Sequence, residues 1–159
     1  MNKYLKRIRT SLLVLLTHSI ALPLLQIFRR SVEFPYTLSK LEALPRGSLG
    51  NDLFHFLKQK NLKLLPHYAR HDLKHILLQY DTTDCGEACL QCFMLGNGRV
   101  SFPVLATVIY ALATMPEYWK EMNAAYEKGR TANAIHNWNW NDLLLTSTKE
   151  LRLKVFTTS

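Results

Sequence analysis

The chain reads as an all-α protein, a single compact helical domain preceded by an amphipathic, largely apolar N-terminal helix. Three observations carry that reading. Apolar residues recur at helical spacing along most of the 159 residues, breakers separate them into short helical stretches, and convincing strand patterns are scarce. The length suits one core, with a basic and apolar leader over 1–40 and the helical domain over 41–159. A hydrophobic share of 48% against 20% charged excludes a disordered chain, and no low-complexity stretch or internal repeat is visible.

The leader places Lys3, Lys6, Arg7 and Arg9 before the apolar run "SLLVLLTHSIALPLLQIF" (11–28), with Arg29 and Arg30 after it. His18, Pro23 and Gln26 interrupt the run too often for a membrane span, which needs ~20 mostly apolar residues. A helix packed on the domain or lying against a membrane is the reading adopted. A signal peptide ending at "SIA" and an organellar presequence are the alternatives.

"EALPRGSLG" (42–50) is a turn with Pro45, Gly47 and Gly50 as breakers. "NDLFHFLKQKN" then makes a short helix capped by Asn51, and Pro66 suits the first turn of a helix running to about Tyr80. "DTTD" breaks it, and the next helix runs from Cys85 to about Leu95 with Asp84 as its cap. After the turn "GNG" (96–98), "SFPVLATVIYALATM" (101–115) is apolar nearly all round, which predicts a central buried helix. Pro116 starts a helix through Lys128 that Gly129 stops, and "WNWNDLLLTSTKELRLKV" forms the last helix.

A formal charge of +8 admits a nucleic acid, an anionic membrane or an acidic ligand as partner. The charges that flank the apolar leader favour a lipid surface, and no basic motif interleaved with aromatics argues for nucleic acid. Three cysteines make no disulfide framework, which points to a reducing compartment.

Chemistry concentrates in "RHDLKHILLQYDTTDCGEACLQC" (70–92). His71 and His75 are four apart, about 40° on a helical wheel and one turn above each other, so both imidazoles can reach one ion. Asp72 flanks them at about 100°. A continuous helix would carry Glu87 ~18 Å from His75, but the "DTTD" break allows an antiparallel return that brings it alongside. Glu87 also stands three residues after Asp84, the spacing of a capping box. Two imidazoles with one or two carboxylates suit Zn²⁺, Fe²⁺ or Mn²⁺. Cys85, Cys89 and Cys92 fall at i, i+4 and i+7, a core stripe on a different face from Glu87 rather than a second ligand set.

His71-Asp72-x2-His75, followed by eleven residues and Glu87, resembles the motif of the coenzyme Q biosynthesis family called Coq-four. "GSLG" (47–50), "FL" (56–57), "GR" (129–130), a tryptophan some ten residues later and "ELR" (150–152) resemble its flanking pattern, from about residue 42 to 155. Gln79 departs from that pattern, which has Gly after the Leu-Leu pair. The resemblance implies a helical protein holding a divalent ion, commonly zinc, with His71, Asp72, His75 and Glu87 as ligands and reaction centre. It also implies a polyprenyl quinone precursor bound in an apolar groove, peripheral membrane contact and other quinone-biosynthesis enzymes as partners. A homodimer is a further expectation. The implied reaction is oxidative decarboxylation at C1 of the head-group precursor, and an organising role in the biosynthetic complex is the alternative. The implied location is the cytoplasmic face of a bacterial inner membrane or the cytoplasm, or the matrix side of the mitochondrial inner membrane in a eukaryote. Arg130 is the candidate for an acidic head group, and the segment 101–115 the candidate wall for an isoprenoid tail. Adjacent His71 and Asp72 also suggest an HD-type phosphohydrolase, which would need His55 and Asp142 as further ligands.

Overall fold

The computed structural model describes residues 34–66 and 68–157, so the leader helix expected before residue 34 lies outside the described residues. Among these residues there are seven α-helices and two 3-10 turns, and no strand. In chain order they are α1 (Leu38–Glu42), α2 (Leu49–Gln59), α3 (Ala69–Leu78), α4 (Asp84–Gly96), α5 (Phe102–Thr114), a 3-10 turn (Pro116–Tyr118), α6 (Trp119–Thr131), a second 3-10 turn (Trp140–Leu143) and α7 (Thr148–Phe156). The all-α expectation therefore holds. The chain divides into two compact units, one of Thr82–Arg130 and the other of the described residues up to Asp81 and from Thr131 onward.

In the second of these units α1 packs on α2, α2 on α3 and α3 on α7. Leu41, Leu53, Leu57, Leu73, Leu77 and Leu151 are fully buried or nearly so, recurring at the helical spacing that the sequence displays. The cap of α2 is Ser48, three residues before the expected Asn51; its hydroxyl accepts from the Asn51 N–H at 3.3 Å. Asn51 lies inside the helix, where its Nδ2 donates to the Glu42 carbonyl at 3.1 Å. The Leu49 and Gly50 N–H groups donate to the Thr146 and Leu144 carbonyls, each at 2.9 Å. All three N–H groups of Leu49, Gly50 and Asn51 are thus satisfied, as a buried helix start requires. Gly50, expected as a breaker, is helical instead: a Cβ there would collide with Leu44 Cδ1 and stand 3.1 Å from the Leu144 oxygen.

The same bonds explain why residues 138–155 do not form one last helix. The Leu144 and Thr146 carbonyls are engaged by α2, and the Thr148 N–H donates to the Gly47 carbonyl at 2.9 Å. The helical ladder is interrupted there and resumes as α7.

In the Thr82–Arg130 unit α5 packs on α4. Gly96 and Gly129, expected as a turn residue and a helix stop, both lie within helices and face a neighbouring backbone. A Cβ on Gly96 would run into the Tyr126 carbonyl oxygen, and one on Gly129 into that of Phe93. Asn97 Nδ2 donates to the Gly129 carbonyl at 3.1 Å, which fixes the same crossing of α4 and α6 with a buried hydrogen bond.

The expectation that 101–115 is a central buried helix is corrected. Val104, Val108 and Ala111 of α5 are buried, but Phe102, Ile109 and Leu112 are 75%, 65% and 44% exposed, and Leu105 and the flanking Val100 and Trp119 are exposed as well. Composition alone could not reveal this, since an uncharged helix offers several apolar faces and only one needs a packing partner. Thr107 and Thr114 donate to the carbonyls four residues earlier, at 2.9 and 2.8 Å, so their hydroxyls are satisfied within the helix. Among the described residues no helix is long and apolar enough to cross a membrane.

Candidate metal centre

α3 starts at Ala69, with Tyr68 as its cap, and stops at Leu78, so it is shorter at both ends than expected. Its end is set by Gln79, which holds φ 61° and ψ 32° in the left-handed region. That conformation costs a side-chain-bearing residue about 1 kcal/mol and suits glycine, which gives a physical reason for glycine at this place in the resembling pattern. Gln79→Gly is expected to raise stability by about 1 kcal/mol and the melting temperature by about 2–4 °C. Thermal unfolding followed by circular dichroism checks it, and a lowered midpoint would count against the strain.

The left-handed residue turns the Tyr80 carbonyl back toward the last turn of α3, where His75 Nδ1 lies 3.0 Å from it. A carbonyl only accepts, so Nδ1 carries the proton and, in the neutral ring, Nε2 keeps a lone pair. That Nε2 lies 3.0 Å from Nε2 of His71. His75 is 2% exposed, with Phe56 nearly parallel to its ring at 6.4 Å between centroids, and Tyr68 meets His71 edge-on at 6.1 Å. Two imidazoles bound at about 2.0–2.1 Å to one ion would hold their nitrogens about 2.9–3.4 Å apart, between right-angle and tetrahedral coordination. The observed separation falls in that range. The anchored Nδ1–H is the outer contact that metal-bound histidines normally make.

Glu87 completes the group: His71, His75 and Glu87 each offer a ligand atom, and these atoms lie within 4.8 Å of one another. The cap expected at Asp84 is displaced by one residue. Thr83 is the cap of α4, its hydroxyl accepting from the Gly86 N–H at 3.2 Å, and Asp84 is the first helical residue. Glu87 therefore lies beyond the position from which a capping carboxylate reaches back. Asp72, half-buried in the first turn of α3, is not in the group. Arg130 is on the surface near the end of α6, paired with Glu127 at 3.0 Å.

The cysteines lie in α4 as a separate set. Cys85 Sγ is 4.0 Å from Cys89 Sγ, and Cys89 and Cys92 are buried. Burial, reinforced by the neighbouring Cys85, pushes the Cys89 thiol from 9.0 up to about 12, and burial alone pushes Cys92 up to about 11. Neutral buried thiols fit a core stripe, not a thiolate cluster. Because the folded-state values lie above the unfolded one, the stability these thiols contribute is complete below about pH 9 and lost as pH rises toward 11–12. Iodoacetamide at pH 8 is accordingly expected to modify Cys85 well ahead of Cys92, as peptide mass mapping would report; equal labelling would contradict the burial.

His55 is exposed on α2, and Asp142 accepts from Asn139 Nδ2 at 2.7 Å. Among the described residues, neither belongs to the group of possible metal ligands. Arg152 of α7 entered the sequence reading only as part of "ELR", and its role was missed. Its Nη2 donates to the Ile76 carbonyl at 2.7 Å and its Nε to the Leu77 carbonyl at 3.1 Å.

No family model matches the chain, and no curated protein matches it. A solved structure does: the crystal structure of a protein from Nostoc punctiforme assigned provisionally to ubiquinone biosynthesis. It is 21% identical, with a TM-score of 0.61, and the match covers 98% of this chain and 82% of that one. The two share a fold.

Proposed function

We propose that this chain is a divalent-metal-binding protein of ubiquinone biosynthesis that acts at C1 of a polyprenylated head-group precursor. The convergence of His71 and His75 on one point, with Nδ1 of His75 anchored by Tyr80, carries the reading. The pathway assigned to the Nostoc structure and the motif resemblance support it. His71, His75 and Glu87 would hold the ion, and Zn²⁺, Fe²⁺ and Mn²⁺ all suit this donor set. When bound, such an ion supplies Lewis acidity toward a carboxylate or ring oxygen. Replacing a ring carboxylate by hydroxyl, with loss of CO₂, is a two-electron oxidation, so an oxidant such as dioxygen accompanies the reaction. The uncharged face of α5 gives an isoprenoid tail or a lipid surface an apolar contact, which fits a peripheral membrane protein working beside other quinone-biosynthesis enzymes.

Incubation of the metal-loaded protein with a carboxylated polyprenyl phenol under air tests the reading. Formation of the hydroxylated product, lost in Glu87→Ala, is the expected result. Metal and lipid binding without turnover would replace catalysis by a scaffold role, and absence of metal binding would sink both.

A further inference from the structure

The last turn of a helix leaves four carbonyls without intrahelical partners, and in α3 that turn also presents His75. Two of those carbonyls, Ile76 and Leu77, accept from a single guanidinium, that of Arg152, which reaches them from α7 with a sequence separation of 75 and 76 residues. The planar fork of arginine meets two adjacent acceptors at once, which a lysine ammonium cannot do with the same geometry. Its charge also stands at the negative end of the α3 dipole. Two residues beyond Leu78, the Tyr80 carbonyl receives the His75 Nδ1–H at 3.0 Å. The path of residues 76–80 therefore sets which ring nitrogen of His75 is protonated and where the other points.

We propose that Arg152 is a positioning residue for the metal centre. By clamping the Ile76 and Leu77 carbonyls it holds the turn that brings Tyr80 onto His75, and so fixes the tautomer that presents Nε2 beside His71. Both of its hydrogen bonds go to backbone carbonyls, and it acts through them. The inference deepens the reading of His71 and His75 as metal ligands and, for its effect on affinity, rests on it.

The test uses the full chain with ¹⁵N-labelled histidine. In metal-free wild type, His75 is expected to show a protonated Nδ1 and an unprotonated Nε2. Arg152→Gln is expected to mix the two tautomers and weaken Zn²⁺ affinity by about 10–100-fold, the range seen when outer contacts of a metal ligand are lost. Arg152→Lys, which keeps the charge and one donor, is expected to fall between them, and it serves as the test protein if the glutamine variant does not fold. Millimolar guanidinium should partly restore affinity to Arg152→Ala and leave wild type unchanged. A lowered melting temperature with the His75 tautomer and Zn²⁺ affinity unchanged would make Arg152 a stabilising contact only and overturn the proposal. If wild type itself fails to bind Zn²⁺, the metal reading falls, while the tautomer comparison still decides the role of Arg152.

Discussion

His75→Ala is expected to bring bound divalent metal in the purified protein down to background, and to leave the fold intact but weakened. His75 contributes the buried half of the imidazole pair, and its Nδ1 lies 3.0 Å from the Tyr80 carbonyl. Loss of outer contacts alone weakens metal sites about 10–100-fold, so removal of the ligand itself should exceed that. The truncation also opens a cavity and removes the His75 Nδ1–H from the Tyr80 carbonyl, which together cost about 2–4 kcal/mol. Elemental analysis after dialysis against a weak chelator, with the exposed His55→Ala as control, separates the two effects. The variant should retain a cooperative melt and lose metal; the control should lose neither. Metal retained in full by His75→Ala would sink the site.

Gly129→Ala carries the second large effect, and it lies far from the chemistry. A methyl group there would run into the Phe93 carbonyl oxygen, which belongs to helical backbone and cannot rotate aside as a side chain could. Alanine gains about 1 kcal/mol of helix propensity over glycine, but overpacking against a fixed atom costs about 3 kcal/mol or more, so the clash wins. The melting temperature should fall by about 4–12 °C, at about 2–4 °C per kcal/mol for a chain of this size. Gly96→Ala should behave alike because it would meet the Tyr126 carbonyl at the same crossing. The double variant should cost less than the sum, since the first methyl already parts the helices. A melt of Gly129→Ala within 1 °C of wild type would show that α4 and α6 do not approach so closely in solution.

The parts of the molecule legible in the sequence were those written in local spacing. His71 and His75 at i, i+4 and a break long enough to return the chain gave the pairing and admitted Glu87. Asp72 belongs to the motif but not to the group formed by His71, His75 and Glu87, and its place at about 100° on the wheel distinguishes it from the i, i+4 pair. What stayed hidden depends on partners distant in the chain. A glycine at a helix crossing looks the same as a glycine that ends a helix, hence the misreading of Gly96 and Gly129. The cap of α2 moved from Asn51 to Ser48 because carbonyls from 144 and 146 satisfy the N–H groups that a sequence window leaves open. The match at "ELR" marked Arg152 without its partners, since its acceptors are backbone atoms 75 and 76 residues away.

The bonds from Leu49 and Gly50 to Thr146 and Leu144 also set a clock. A ribosome adding about 5–20 residues per second needs roughly 5–20 s to travel from the first pair to the second. During that interval the nascent α2 begins with N–H groups that only water can satisfy, and the fold on which α3 rests is unfinished. Translation speed across this stretch therefore governs how long the half-made helices are exposed to proteases and chaperones.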